Sequence, residues 1–348
     1  LRNGSTIHGN VVAVAGGSDV LALGGAQDGN FDTSQIGGAA QYRNFAAFEK
    51  TGSSSFTLAG QTTAVTPWSV REGTLAIADD AALGDVSGAL TLDGGTLRTN
   101  PDLTSARPVT LGAAGGATST DALTVARFSG PISGAGDLTK TGDGTLELSG
   151  TNTHRGATVV ATGTLRAGAV DALSAHSAHT VGQGATLDLN GFSQTVGSLA
   201  GAGAVVLGGG AHLGVGGDGR RGVLLRRGRL RLPVGDRRRG RRRRVRPGDR
   251  RDGAVRGDGH HTVFSGELRG SGSLTKLGGG TLELTGTNTY TGGTVVNDGM
   301  LRAGAANSFS AASAFHSVDV DGTLDTGGFG QTIPSVNKAG TVALAGNR

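Results

Sequence analysis

An internal repeat constrains the fold of this chain more than any other feature of its sequence. The stretch Lys276–Arg302 is identical to Lys140–Arg166 at 18 of 27 positions, with no gap between them. A more diverged copy begins at Lys50 and matches the middle copy at 10 of the same 27 positions. Three ungapped copies indicate an array in which each unit packs against its neighbours.

Each copy of the repeat has the period of β-strands. In Thr281–Thr285 apolar and polar residues alternate, which places Leu282 and Leu284 on one face of a strand. Two further short runs, Thr294–Val296 and Met300–Arg302, are separated by residues that favour turns. Strands of about three to five residues bury too little surface alone, so they must stack on similar strands. The sequence therefore predicts an all-β solenoid.

The repeat resembles the passenger-associated repeat of bacterial autotransporters, the proteins of type V secretion. The pattern L-T-K, G-T-L-x-L, G-x-N-T and G-x-L stands nearly whole at Leu138–Leu165 and Leu274–Leu301. The resemblance implies a right-handed parallel β-helix that is displayed on the bacterial surface or secreted, as a stalk that contributes to adhesion. It also implies two partners, a host-cell or matrix surface and the passenger's own outer-membrane β-barrel translocator.

Neither end of the chain carries the segments that such a protein needs for export. The start at Leu1 has no initiator Met and no charged region followed by an apolar one. No run of about 18 apolar residues could span a membrane as a helix, and no translocator-like strands follow the repeats before Arg348. By analogy with the family, we expect a fragment whose signal peptide and barrel lie outside it.

Composition agrees with a stacked rod. The 348 residues include 66 Gly and no Cys, and only 4% are aromatic, so neither a large globular core nor a disulfide framework is available. We expect β-helical coils over 1–49, repeat copies one and two over 50–219, an irregular Arg-rich block over 220–261, and copy three over 262–348.

The Arg-rich block accounts for the basic character of the whole chain. Between Arg220 and Arg256 lie 17 of the 32 basic residues and three acidic ones, which leaves 15 basic against 24 acidic residues elsewhere. Three interpretations stay open. Arg without Lys is typical of a GC-rich gene read out of frame, which predicts a compensated frameshift or sequencing error. The others are a solvated, disordered insertion and a site for nucleic acid or another polyanion.

One short motif at the edge of this block is a candidate adhesion site. Arg256, Gly257 and Asp258 form a tripeptide that can bind integrins when it is exposed. A segment composed mainly of Arg, Gly and Asp also produces this tripeptide by chance.

We find no catalytic, cofactor or metal site in the sequence. There is no G-x-S-x-G or H-E-x-x-H motif, and the absence of Cys excludes thiol catalysis. The pair Asp79–Asp80 could perform acid–base chemistry on a polysaccharide, but its place at a turn of the repeat pattern favours a scaffold role. A β-helical polysaccharide-degrading enzyme is therefore an alternative function.

The remaining polar candidates have structural interpretations. His176 with His179, and His260 with His261, lack acidic partners at ligand spacing, so we expect polar surface residues. Two asparagines recur in register, Asn152 and Asn288, which predicts turn capping or an Asn ladder between coils.

Three functions thus compete: a surface stalk with adhesion, a β-helical enzyme and a polyanion binder. Acidic residues clustered in a groove would favour the enzyme, whereas an exposed apolar or Asn/Thr ladder would favour adhesion. A polyanion binder would depend on the Arg-rich block alone.

Overall fold

A computed structural model of the chain describes residues 1–216 and 260–344. This part is all-β and forms a parallel β-solenoid of about 12 turns, which confirms the predicted fold class. All of the Arg-rich block except His260 and His261 lies outside the described residues.

The strands are short and follow one another at every coil. The first eleven are β1 (Val11–Val12), β2 (Val20–Leu23), β3 (Gly29–Asp32), β4 (Tyr42–Arg43), β5 (Ala47–Lys50), β6 (Ser55–Ala59), β7 (Trp68–Val70), β8 (Thr74–Ile77), β9 (Leu90–Leu92), β10 (Thr96–Thr99) and β11 (Leu103–Ser105). The next eleven are β12 (Val109–Leu111), β13 (Gly116–Thr120), β14 (Val125–Phe128), β15 (Ile132–Gly134), β16 (Leu138–Thr141), β17 (Thr145–Leu148), β18 (Thr158–Val160), β19 (Thr164–Ala167), β20 (Ala178–Val181), β21 (Thr186–Asp188) and β22 (Gln194–Val196).

The strands that complete the rod are β23 (Ser198–Gly201), β24 (Ala204–Val206), β25 (His212–Val215), β26 (His261–Phe264), β27 (Glu267–Arg269), β28 (Ser273–Lys276), β29 (Thr281–Leu284), β30 (Thr294–Ala303), β31 (His316–Asp325), β32 (Val336–Lys338) and β33 (Thr341–Ala343). Two single-turn 3-10 helices, at Thr33–Gln35 and Asp80–Leu83, interrupt the coils near the amino-terminal end.

Parallel hydrogen bonding arranges nearly all of these strands in three ladders along the rod. The first ladder comprises β2-β5-β7-β9-β12-β15 and, farther along, β22-β25-β28-β30-β31-β32. The second is unbroken from β3 to β33, through β6, β8, β10, β13, β16, β18, β20, β23, β26, β29, β30 and β31. The third is β11-β14-β17-β19-β21-β24-β27. The ladders form the three faces of the solenoid.

Strand alternation fills the interior with stacked aliphatic columns. On the third ladder Leu146 pairs with Leu165, Leu165 with Leu187, and Leu187 with Val205, and all four side chains are fully buried. The same inward position is apolar in successive coils because side chains of alternate residues point to the same face of a strand. Each coil therefore buries its apolar surface against the coils above and below.

The three repeat copies do not all lie on the same faces. Copies one and three begin on the first ladder, with β5 and β28, whereas copy two begins on the second ladder with β16. Each copy contributes strands to two neighbouring faces in two successive coils. The repeat therefore specifies a local pair of coils, not a fixed orientation around the rod.

One detail of the third copy differs from the sequence prediction. The runs Thr294–Val296 and Met300–Arg302 were expected to be separate strands, but they belong to one continuous strand, β30, with a register irregularity between Val296 and Asp298. In copy two the matching corner separates β18 from β19. The long neighbouring strand β31 pairs with β30 on both sides of this corner, so the two runs belong to one strand although the chain turns at Gly299.

Glycines with positive φ form the tight corners inside each repeat. In copy two these are Gly142, with a φ of 73°, and Gly163, with a φ of 66°. The matching residues of the other copies are Gly52 and Gly73, and Gly278 and Gly299. A Cβ on Gly163 would collide with the carbonyl oxygens of Gly142 and Gly144 in the preceding coil, so the corners of consecutive coils are in direct contact.

We predict that Gly163→Ala destabilises the rod more than Gly184→Ala does. Both glycines have a positive φ, 66° and 79°, but a Cβ on Gly184 has no atom within 4 Å. Backbone strain alone should lower the free energy of unfolding by about 1–2 kcal/mol in Gly184→Ala. Gly163→Ala adds the collision between coils. Its free energy of unfolding, measured by urea unfolding, should therefore fall clearly further. Equal losses would contradict the close contact of the corners.

Candidate functional sites along the rod

A buried lysine occupies the same position in all three repeat copies. Lys50, Lys140 and Lys276 are each at most 2% exposed and point into the interior columns. The inward neighbours of Lys140 are Thr118 and Val160. The chain has only four lysines, and the fourth, Lys338, is exposed. Three of the four are therefore inside the solenoid.

The ammonium of each buried lysine binds backbone carbonyl oxygens at the corner. In copy two, Lys140 Nζ donates to the carbonyl oxygens of Thr141 and Gly142, both at 2.7 Å, and of Thr162 at 3.4 Å. Copy one shows Lys50 with Thr51 (2.9 Å), Gly52 (2.7 Å) and Glu72 (3.2 Å); copy three shows Lys276 with Leu277 (2.5 Å), Gly278 (2.5 Å) and Asp298 (3.3 Å). The third acceptor of each set belongs to the next coil.

Burial lowers the pKa of two of these lysines. Removal from water lowers the pKa of Lys140 to about 8, with a smaller opposing effect of the Asp143 charge. Burial also lowers the pKa of Lys50, against the charges of Glu72 and Asp28. At neutral pH Lys140 is mostly charged, and an ammonium is the form that can donate three hydrogen bonds.

Amide side chains link coils where regular strand pairing stops. Asn152 Oδ1 accepts from the Ile132 N–H of the preceding coil at 2.7 Å, and its Nδ2 donates to the Ala172 carbonyl of the following coil at 2.6 Å. In copy three Asn288 makes the same bridge to the Leu268 N–H (2.8 Å) and the Ser308 carbonyl (2.5 Å). The two asparagines are buried bridges between coils, as the prediction of a ladder role required.

Beyond each asparagine a buried hydroxyl network connects the same two coils. His154 Nε2 lies 2.8 Å from Thr158 Oγ1, which lies 2.8 Å from Ser177 Oγ. The same network recurs in copy three with Tyr290, Thr294 and Ser313. These groups are inside the rod, where they hydrogen-bond to one another and to backbone, so they stabilise the coils and have no access to a substrate.

The expectation that all four paired histidines are surface residues is wrong for His179. It lies on β20 in phase with Val181, so strand alternation turns its ring into the core, where it is 1% exposed. Burial, helped by nearby His154, lowers the pKa of His179 to about 4. His176, His260 and His261 are exposed.

A third buried histidine, His316, lies in the coil after copy three, at the paired position that His179 occupies in the coil after copy two. Each pairs with the threonine of its own network, His179 with Thr158 and His316 with Thr294. Burial lowers the pKa of His316 and of His154 to about 4; at His154 the Asp137 charge opposes the shift. These rings are therefore neutral at pH 7.

The carboxylate pair that suggested an enzyme has structural partners. Asp79 caps the 3-10 helix by accepting from the Ala81 N–H at 2.9 Å, and it also accepts from Gln61 Nε2 at 3.2 Å. Asp80 pairs at 3.2 Å with the buried guanidinium of Arg107. Arg107 also donates to carbonyl oxygens of the loop that follows the helix, at Gly84, Asp85 and Gly88. Both carboxylates thus hold a loop in place.

The outer faces carry two kinds of side-chain row. On the first ladder a hydroxyl row of five coils faces outward, formed by Ser69, Thr91, Thr110, Ser133 and Thr153. Elsewhere charges of opposite sign alternate from coil to coil, as in Arg127, Glu147, Arg166 and Asp188 of the third ladder. Such half-exposed pairs contribute little stability, but a slip of one coil would place like charges together.

Several candidate features lie outside the described residues or are not observed within them. The tripeptide Arg256, Gly257 and Asp258 and the polyanion site of the Arg-rich block lie outside the described residues, so both stay predictions. Within 1–216 and 260–344, no cluster of three or more His, Asp or Glu side chains could hold a metal ion. None of the helices in those ranges is long and apolar enough to cross a membrane.

A family of known proteins matches the three segments that contain the buried lysines. The family described as Passenger-associated-transport-repeat matches residues 48–77, 138–167 and 274–303, and the buried lysine is the third residue of each stretch. A curated relative, the Adhesin BmaC autotransporter of Brucella suis biovar 1 (strain 1330), is 34% identical over an alignment of 376 residues. The alignment covers 87% of this chain, which spans about a tenth, 11%, of the relative's length. No solved structure matches the chain.

We predict that Asn288→Ala destabilises the rod by about 2–6 kcal/mol, because two buried backbone groups lose their partner at about 1–3 kcal/mol each. The groups are the Leu268 N–H and the Ser308 carbonyl. Thr289→Ala, which alters the exposed neighbouring side chain, is the matched control and should change stability by less than about 0.5 kcal/mol. Urea unfolding measures both; similar small effects would show that the bridge is dispensable.

We also predict that the rod loses stability as the pH falls from 6.5 to 4. The folded-state pKa of His179 and His316 is about 4, below the ordinary value of 6.5, so between these values the unfolded chain binds more protons. The stability is fully present above pH 6.5, and each ring can account for about 3 kcal/mol of loss at pH 4.

The matched comparison for this pH effect uses His179→Asn with His316→Asn in one chain and His8→Asn in another. His8 is exposed in the amino-terminal segment. Urea unfolding across pH 4–7 should show a flatter pH profile for the double variant and the parent profile for His8→Asn. A double variant as acid-sensitive as the parent would exclude His179 and His316 as the cause.

Proposed function

The chain is a β-helical segment of an autotransporter passenger, and we propose that it acts as a stalk whose outer face contributes to adhesion. Its place is the bacterial cell surface, the outer membrane or the secreted fraction. In this proposal the passenger is carried outward by its own translocator, and the stalk holds its outer faces toward a host-cell or matrix surface.

The observation that carries the adhesion proposal is the hydroxyl row on the first ladder. Ser69, Thr91, Thr110 and Ser133 occupy directly paired positions, and Thr153 of the next coil donates its N–H to Ile132. Stacked strands place these hydroxyls about 4.8 Å apart. A regular row of donors and acceptors suits repeated contacts with a polar surface, and an exposed Thr ladder is the feature that favours adhesion over catalysis.

The proposal does not assign an enzymatic activity to this segment. The relative is named an adhesin, and the paired carboxylates of this chain, Asp79 and Asp80, hold a 3-10 turn and a buried arginine. A general acid and a general base need free carboxyl groups on either side of a glycosidic bond. This engagement supports a binding role for the segment and counts against the polysaccharide-degrading alternative.

We predict that charge placed in the hydroxyl row strongly reduces adhesion. Beads coated with the 348-residue chain are applied to cultured host cells and to matrix proteins. Thr91→Lys with Thr110→Lys should lower the number of bound beads at least tenfold, because two bulky ammonium groups interrupt the row. Thr96→Lys with Thr139→Lys, at outward positions of the second ladder, is the matched control and should stay within twofold.

Three outcomes would count against this assignment. Full binding by the first-ladder variant, with circular dichroism unchanged, would remove the hydroxyl row from the adhesive surface. Equal loss in both variants would indicate nonspecific charge repulsion. Loss of binding in Asp258→Glu alone would transfer the activity to the tripeptide Arg256–Asp258, for which this variant keeps the charge and changes the length.

A further inference from the structure

The buried lysines have a geometry that suggests more than local packing. Each ammonium binds two carbonyl oxygens of its own corner and one that lies 22 residues farther along, in the next coil. We propose that each repeat is a lysine lock, which fastens two consecutive coils into one unit, and that the three locks divide the rod into blocks that open separately. The locks are centred on Lys50, Lys140 and Lys276.

The aliphatic stem and the ammonium of each lysine have different tasks in a lock. The stem of Lys50 stacks between Leu23 and Val70, and that of Lys276 between Val215 and Val296, so each takes the place of an aliphatic residue in an inward column. The ammonium then reaches the corner, where backbone carbonyls turn away from the regular ladder. A lysine is suited to both tasks because its long apolar stem ends in three donors.

The two coils are in close contact at the corner that each ammonium joins. In copy one, the second-corner glycine, Gly73, is so close to the carbonyl oxygens of Gly52 and Ser54 that even a Cβ would collide with them. In copy three, Gly299 is equally close to Gly278 and Gly280. A hydrogen bond from a charged donor such as an ammonium is stronger than one from a neutral donor such as water. Loss of the ammonium should therefore separate the two coils at that corner.

The coils between the first and second locks contain three buried hydroxyl groups without a partner among the described residues. Thr99, Thr118 and Thr120 are buried there, and their hydroxyl groups have no hydrogen-bond partner within the described structure. Thr99 pairs directly with Thr120 in the next coil, so the unpaired hydroxyls stack in one place. In a solenoid each coil contacts only its neighbours, so a weak coil can open while locked coils on either side stay closed.

The chain's own lysines report the state of each lock. Pulses of an amine-acetylating reagent are applied to the 348-residue chain across a urea titration, and mass spectrometry measures acetylation at each lysine. Lys338, exposed on β32, is the internal reference. Without urea, Lys50, Lys140 and Lys276 should react at least a hundredfold more slowly than Lys338. As urea rises, their reactivities should appear at two or more distinct midpoints.

A variant tests the lock directly. In Lys140→Met the stem is kept and the ammonium is lost; amides of residues 138–167 should exchange with deuterium at least tenfold faster, while the midpoints of Lys50 and Lys276 stay unchanged. Thr139→Met, at the outward neighbouring position, is the control and should leave the exchange as in the parent.

Two results would overturn the proposal. One is a single urea midpoint shared by all three lysines in the unaltered chain, which would mean that the rod opens as a whole. The other is a shift of the Lys50 and Lys276 midpoints in Lys140→Met. The titration of the unaltered chain decides the matter even if the variant does not fold.

Discussion

Main-chain hydrogen bonding between successive coils is the constraint on which the rest of this structure depends. A strand in the rod satisfies its N–H and C=O groups only through the coils before and after it, so every coil must repeat the register of its neighbours. At corners and at gaps in the ladders this backbone pairing is absent, and side chains supply the hydrogen bonds instead. Lysine ammonium groups bind the corner carbonyls, and the amides of Asn152 and Asn288 replace strand pairs. The buried polar residues of the repeat are therefore part of the backbone network.

The sequence allowed the solenoid, the repeat boundaries and much of the core to be predicted, because these depend on local alternation. Leu282 and Leu284 are buried as expected, and the two repeated asparagines bridge coils. Two features required the three-dimensional stacking. The burial of His179 depends on its phase with Val181 in a strand too short to identify alone, and the rotation of copy two onto other faces depends on the cumulative length of the coils. The buried lysines could have been identified, since three of only four lysines recur at one repeat position.

The interior and the exterior of the rod follow different rules, and the proposed adhesion uses the exterior. Inward positions repeat aliphatic residues, lysine or neutral histidine because every coil must match the next. Outward positions vary from coil to coil, with a hydroxyl row on the first ladder and alternating charges on the third. A surface that can change without disturbing the core suits a displayed stalk. The carboxylates that might have marked an enzyme are instead used to hold a loop.

Coils stack regularly through the whole described rod, and distances between spin labels along one ladder test this stacking most directly. The chain has no cysteine, so pairs introduced at Thr74 and Thr180, and at Thr74 and Thr323, can be labelled selectively. These positions lie five and ten strands apart on the second ladder, which predicts separations of about 24 Å and about 48 Å at the strand spacing of parallel sheets. A second distance that is not close to twice the first would contradict a continuous solenoid.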